Sequence, residues 1–290
     1  LKLPSDDRTT ARDLFTRSAT LSVIQWLYYD CELQAASADA LRKLRVALRR
    51  LRSDLQTFAP LLDSQWAGDL RVELGDLGTR LGTVRDGEAR WERLAGLVAL
   101  LPEPERPSAL PLIDMAAAQL ATARVELLEE LSRSSYVRVL ERVVTAVAAP
   151  QWAESDGDRP AVRLARRPWQ RLRSYVEANG DAPGDQQLHR IRILAKRARY
   201  AADVCVPAAG APAAQFAGQL ADLQTVLGEH HDAVVTREWL QRQSEAIAGI
   251  SFVAGQLAAL ELNRIRDVDK QWREAWAAAA RPASWRWLRS

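Results

Sequence analysis

The stretch Leu41-Arg-Lys-Leu-Arg-Val-Ala-Leu-Arg-Arg-Leu-Arg-Ser-Asp-Leu55 carries two helical stripes at once. Leu41, Leu44, Leu48, Leu51 and Leu55 step by three and four, the spacing of a core-facing seam. Arg42, Arg45, Arg49 and Arg52 repeat that spacing one residue later. At about 100° per residue they form a second stripe beside the first. Lys43 and Arg50 fall elsewhere on the polar surface, and no carboxylate occurs from Leu41 to Ser53. A helix that packs along one stripe and shows unpaired guanidinium groups along the next is built to meet an anion.

The same periodicity runs through most of the chain. Helices are expected at residues 9–36, after a Ser5-Asp-Asp cap, and at 40–59, capped by Asp39 and stopped by Pro60. Further helices are expected at 64–83 and, following Gly82, at 86–100. The tract Pro102-Glu-Pro-Glu-Arg-Pro breaks the pattern, which resumes at 108–132 and 134–149. Gln151-Trp-Ala-Glu-Ser-Asp-Gly-Asp-Arg-Pro160 has the content of a linker. Beyond it helices are expected at 161–178, 184–206, 212–228, 231–247 and 249–279, while the tail from Arg281 is left unassigned. Val, Ile and aromatic residues never alternate at period two for long. The fold class is all-α.

The basic stretch has a second copy. Leu41-Arg-Lys-Leu-Arg-Val-Ala-Leu-Arg-Arg-Leu-Arg aligns with Leu188-His-Arg-Ile-Arg-Ile-Leu-Ala-Lys-Arg-Ala-Arg. Arg45 matches Arg192, Arg49 matches Lys196, Arg50 matches Arg197 and Arg52 matches Arg199. Leu81-Gly-Thr-Val-Arg-Asp86 likewise matches Leu227-Gly-Glu-His-His-Asp232. Two motifs in the same order at nearly the same offset mark a duplicated helical unit. The halves are residues 1–150 and 160–290 of a single domain. In the second copy His189, Arg192, Lys196 and Arg199 form the anion-facing row, and Leu188, Ile191, Ala195 and Ala198 the packing row. Packing about a pseudo-two-fold axis would bring the two basic rows to one shared groove.

Bulk properties narrow the classes. The 290 residues carry 40 Lys and Arg against 37 Asp and Glu, a net charge of only +3. That is too mild for a general polyanion sponge, so the placement of charge matters more than its amount. Two cysteines, Cys31 and Cys205, give no disulfide framework and point to a reducing, cytoplasmic compartment. No apolar run reaches the roughly 20 residues of a membrane span, and no signal peptide is visible. The chain begins at Leu1 rather than Met, as a processed protein or a segment of a longer one would.

Other readings of these residues are weaker. A basic helix face is commonly a solvated surface laced with i,i+4 ion pairs. Neither basic helix carries acids of its own for that, although Asp69, Glu73 and Asp76 are candidate partners from a neighbour. Asp86 and Asp232 read as helix N-caps or as braces for a motif arginine, with Arg85 and His231 beside them facing the groove. His230 next to His231 invites a metal, but adjacent helical residues do not share a face and no Cys or carboxylate pattern completes a site. His189 as a general base lacks a recognisable nucleophile and orienting partner. The ten Trp residues do not interleave with the Arg rows, which disfavours single-stranded nucleic acid. No phosphate loop or Gly-x-Gly-x-x-Gly is present.

Taken in order, these motifs resemble the CHAD family, named for a conserved-histidine α-helical domain. The resemblance rests on the 41–52 motif, Leu81-Gly-x-x-x-Asp86, Leu188-His-Arg-Ile-Arg-x-x-x-Lys-Arg-x-Arg-Tyr200, Leu227-Gly-x-x-x-Asp232 and Gly255-Gln-Leu-Ala-Ala-Leu-Glu261. It implies two four-helix-bundle-like halves around a basic surface. It also implies non-catalytic binding of inorganic polyphosphate, with targeting to polyphosphate granules in the bacterial cytoplasm. Matched by position, the family's basic residues fall on Arg45, Arg49, Arg50 and Arg52, and on His189, Arg192, Lys196, Arg197 and Arg199. Arg42 stands where the family often has His, which keeps a cation and removes its pH dependence. Arg42, Arg85 and His231 complete the set of candidate polyphosphate ligands, with no cofactor and no metal. Some CHAD domains follow a CYTH triphosphatase domain bearing Glu-x-Glu-x-Lys. The nearest string here, Glu103-Pro-Glu105-Arg-Pro107, ends in Pro, so a CYTH partner would lie outside this chain. The alternatives are an accessory domain of a triphosphatase or polyphosphate-metabolising enzyme, and a nucleic-acid-binding helical protein.

Overall fold

The computed structural model describes residues 10–34, 39–154, 161–180, 182–246 and 249–289. Nine long helices follow in order: α1 (Ala11–Gln34), α2 (Ala40–Thr57), α3 (Ser64–Ala99), α4 (Arg106–Leu131), α5 (Ser134–Ala148), α6 (Ala161–Asn179), α7 (Asp185–Ala209), α8 (Ala211–Ala246) and α9 (Ser251–Ala280). A short α10 (Pro282–Trp285) and a 3-10 turn close the chain. There is no strand among the described residues, only an isolated bridge between Leu62 and Trp152. The all-α expectation holds.

The two packing rows are buried as their spacing requires. Leu41, Leu44, Leu48, Leu51 and Leu55 of α2 are each no more than 4% exposed. Leu188, Ile191, Ala195 and Ala198 of α7 are likewise buried. Each fully buried Leu or Ile contributes about 1.5–3 kcal/mol, so either seam outweighs the modest helix propensities beside it.

The expected breaks at Gly82 and between residues 228 and 231 do not occur. α3 and α8 each run unbroken for 36 residues and start 147 residues apart, at Ser64 and Ala211. A mid-helix glycine costs only about 1 kcal/mol, which seam burial on either side overrides. Each glycine faces an arginine, and a methyl there would make only ordinary van der Waals contact. A methyl at Gly82 would lie 3.5 Å from Arg45 Nη2, and one at Gly228 would lie 4.0 Å from Arg192 Nε. Asp86 and Asp232 are therefore mid-helix residues and not N-caps. Where α7 does end, Gly210 supplies the turn with φ of +66° and donates its N–H to the Val206 carbonyl at 2.8 Å.

Three other local expectations change. Asp39 precedes α2 but makes no side-chain cap; its carboxylate is taken by Arg42 and Lys43. The linker is anchored at its start, since Asp63 N–H donates to Gln151 O and Ala153 N–H to Leu61 O, both at 3.0 Å. The Trp152 ring meets Phe15 edge-on. Residues 155–160 of the linker, and the Ser5-Asp-Asp cap, lie outside the described residues. The unassigned tail buries Trp285, Trp287 and Leu288, with both Trp rings packed in the cluster of Trp169 and Phe216.

Two apolar cores form, and each draws on both sequence halves. The larger joins Leu48, Leu55 and Tyr136 to Trp169, Ile191 and Phe216. The smaller closes the far ends of the α3–α4 and α8–α9 hairpins with Leu94, Leu112, Trp239 and Leu257. The cores of the two halves are thus continuous with each other.

Between these cores a buried ion pair ties the hairpins. Arg93 of α3 grips Glu261 of α9 through Nε and Nη2, the latter at 2.7 Å, and reaches Glu229 of α8 at 3.0 Å. The Glu261 side chain is 0% exposed. Removing one partner of such a pair leaves an uncompensated charge, which costs about 3–5 kcal/mol. We therefore expect Arg93→Met to lower unfolding stability in urea by about 3 kcal/mol, with the double variant Arg93→Met, Glu261→Met recovering much of it. A single variant as stable as the parent would refute this role.

Candidate functional site

Helices α2, α3, α6 and α7 enclose two adjoining cavities lined by cations. One, of about 290 Å³, is lined by Arg49, Arg52, Arg71, Lys196, Arg197 and Tyr200 among others. The second, of about 230 Å³, adds Arg167 and Arg171 from α6. The two share Ser53, Gln56, Arg71 and Arg197, so they form one groove. No carboxylate lines either among the described residues.

The first acid after the α2 row is turned away from it. Asp54 is fully buried and accepts the Ser18 hydroxyl proton at 2.6 Å; burial pushes its carboxyl up to about 7. Two of the anticipated acids of α3 are engaged elsewhere too. Glu73 pairs with Arg142 of α5, and Asp69 accepts from Gln65.

The structure divides the twelve candidate residues. Arg49, Arg52, Lys196 and Arg197 face the groove. Arg45 and Arg192 stand at its edge. Arg45 Nη1 donates to Asp86 Oδ1 at 3.1 Å, and Asp232 is the acid that acts on Arg192 most strongly. Each Leu-Gly-x-x-x-Asp motif thus sets a glycine and an aspartate beside its arginine; Asp86 braces Arg45 by a hydrogen bond, while Asp232 acts on Arg192 through its charge. Of the two readings of Asp86, the brace is the one observed.

The remaining candidates lie elsewhere. Arg42 is exposed and bound to Asp39, whose carboxyl it helps hold down at about 2. Arg85 pairs with Glu88 and Glu92. Arg50 and Arg199 both turn to Asp203, at 3.7 and 3.6 Å. Arg199 also approaches Gln224. The pairing Arg52–Arg199 and Arg50–Arg197 therefore inverts between the two copies. The cause is one position. Where α7 has Asp203, α2 has Gln56, a neutral residue that lines the groove. Asp203 draws Arg199 across one helical turn, whereas Arg52 stays in the groove and donates to the Arg71 carbonyl at 3.2 Å.

Three groove residues are absent from the sequence reading. Arg167 and Arg171 come from α6, whose run from Val162 to Val176 contains no acid, a signal visible in the sequence. Arg71 sits between Asp69 and Glu73 and carries no such signal. The Nε atoms of Arg49, Arg71 and Arg192 are buried without a hydrogen-bond partner among the described residues. Buried donors of this kind are costly and are usually satisfied.

His189 and His231 meet each other outside the cavity lining, with Nδ1 atoms 3.1 Å apart and ring centroids 4.4 Å apart. Burial, then Arg192, lowers both; His231 falls to about 4. Both rings are therefore neutral near pH 7, with one Nδ1–H donated to the other. His230 points elsewhere, is buried, and lies 3.2 Å from the Asp185 carboxylate. Among the described residues no three His, Cys, Asp or Glu side chains gather as metal ligands do.

Lys196 lies among like charges. Burial, followed by Arg192, Arg49 and Arg45, lowers its amine to about 7. An unfolded lysine titrates near 10.4. The folding penalty is therefore fully present below pH 7 and lifts as pH rises from 7 toward 10. We expect Lys196→Met to raise stability at pH 6 by about 1 kcal/mol, a gain of several degrees in melting temperature that shrinks by pH 9. A gain equal at both pH values would contradict the assignment.

A family model described as CHAD domain matches residues 18–241. Uncharacterized proteins from two strains of Mycobacterium tuberculosis are 32% identical over 257 residues, covering 84% of this chain and 48% of each relative. The chain thus spans about half the length of the curated relatives it matches. PptA from Streptomyces chartreusis superposes with a TM-score of 0.80 at 19% identity, covering 93% of this chain and all of that one. The CHAD domain from the plant Ricinus communis superposes with a TM-score of 0.71 at 23% identity, covering 94% and 93%. This chain belongs to the CHAD family, and its fold is that of these two structures.

Proposed function

We propose that this chain binds inorganic polyphosphate in the groove between α2, α3, α6 and α7 and does not turn it over. The observation that carries the reading is the lining itself: Arg49, Arg52, Arg71, Arg167, Arg171, Lys196 and Arg197 from four helices, with no carboxylate among them. Burial, together with neighbouring cations, lowers Lys196 to about 7, and cations crowded in this way are stable partners for a dense anion and poor neighbours for each other. Polyphosphate offers about one negative charge per phosphate and no bases to read. Guanidinium groups match phosphate oxygens through charge-assisted, often bidentate bonds. Membership of the CHAD family agrees with this ligand, and the biological setting we infer is association with polyphosphate granules in the cytoplasm.

Nucleic acid is the second reading. Single-stranded binding uses successive aromatic platforms, and Tyr200 is the one aromatic lining the groove among the described residues. A third reading makes the chain an accessory domain. The length of its relatives leaves room for a catalytic partner, such as a CYTH-type triphosphatase domain, elsewhere in those proteins.

A competition titration separates these readings. Polyphosphate should displace DNA and RNA at physiological salt, and affinity should fall steeply as salt rises. Arg49→Gln with Lys196→Gln should weaken polyphosphate binding at least about a hundredfold at low salt, with helicity unchanged by circular dichroism. Nucleic acid holding its place against excess polyphosphate, or full affinity in the double variant, would sink the proposal. Phosphate release by the purified chain would overturn its non-catalytic part.

A further inference from the structure

We propose that Arg167 and Arg171 of α6 make this groove prefer long polyphosphate chains to short ones, by carrying the polymer from the Lys196 cavity out across α6. The inference rests on the polyphosphate reading above and adds which chains the site selects.

The groove has an inner and an outer part. The inner cavity holds Arg49, Arg52 and Lys196, with Arg45 and Arg192 at its edge. Its 290 Å³ is on the order of ten waters in volume, enough for a few phosphate groups and too small for a polymer. A short anion such as tripolyphosphate is satisfied there, because Arg49 and Lys196 are half-buried whereas Arg167 and Arg171 are exposed.

The outer cavity continues from the inner one without a gap, through Arg71 and Arg197. Arg197 is surrounded by Arg190, Arg71, Arg171 and Arg52, all of which act on its charge. A polyanion leaving the inner cavity past Arg197 therefore meets Arg171 next, then Arg167 one helical turn back. Both α6 side chains are exposed, and neither has an ion-pair partner among the described residues. Arg173, on the other side of α6, differs in both respects that matter. It pairs with Glu177 at 2.6 Å and lies over the Trp285 ring. Only a chain longer than the inner cavity gains from Arg167 and Arg171, so they add affinity with length.

The test compares Arg167→Ala, Arg171→Ala with the parent chain, titrating long-chain polyphosphate and tripolyphosphate over a range of salt. Both substituted side chains are exposed, so the fold is retained, and Arg173→Ala serves as a control on the opposite face. We expect long-chain affinity to drop about tenfold or more at low salt, with the slope of log affinity against log salt shallower by about 1.5. Tripolyphosphate affinity should change less than about twofold, and the control should match the parent. Equal losses for both ligands, or an unchanged long-chain affinity, would overturn this inference and leave the groove assignment standing. A parent chain that binds neither ligand would overturn both.

Discussion

Burial of two apolar seams presses like charges together, and the rest of the site depends on that constraint. The leucines of α2 and the Leu188, Ile191, Ala195 and Ala198 row of α7 are held in one continuous core. Their basic rows ride one residue away on the same helices and cannot separate. The cost is modest against the seam energy: one lysine lowered to about 7 by burial and by its cationic neighbours is a small charge on a core of this size. The fold can therefore hold cations at a spacing that free side chains would avoid. What results is a preorganised anion site whose cost is met in folding and recovered when an anion arrives.

The acids of the region keep that arrangement intact by their placement. Asp86 braces Arg45 and Asp232 offsets the charge of Arg192, while Asp203 pulls Arg50 and Arg199 out of the groove. Asp54 is buried behind α2, and Glu73 is committed to Arg142. The near-neutral overall balance thus conceals a local excess of charge. Glu261 of α9 is explained in the same way. It anchors Arg93 in the hairpin joint and takes no part in the groove.

Much of this was legible in the sequence where a period or a repeat announced it. The seams, the basic rows, the all-α class and the motif aspartates follow from spacing alone. Rotation about a helix axis was legible only coarsely. Arg52 and Arg199 occupy matched positions, yet an aspartate one turn on diverts the second. That aspartate is in the sequence at position 203, just past the acid-free run. The Leu-Gly motifs look like turns because glycine weakens a helix, but both glycines lie within long unbroken helices and face an arginine. Arg71 could not be found from local pattern, since only tertiary packing carries α3 to the groove. The pairing of His189 with His231 is equally a product of packing, as the two lie 42 residues apart.

The most direct test of the central claim is proton uptake on binding, measured by calorimetry at pH 7.5 in buffers of different ionisation enthalpy. An anion seated among Arg49, Arg192 and Lys196 restores the lysine's charge. The account predicts net uptake of protons as polyphosphate binds, most of it lost in Lys196→Arg while affinity is retained. Binding with no proton uptake, or uptake undiminished in Lys196→Arg, would contradict it.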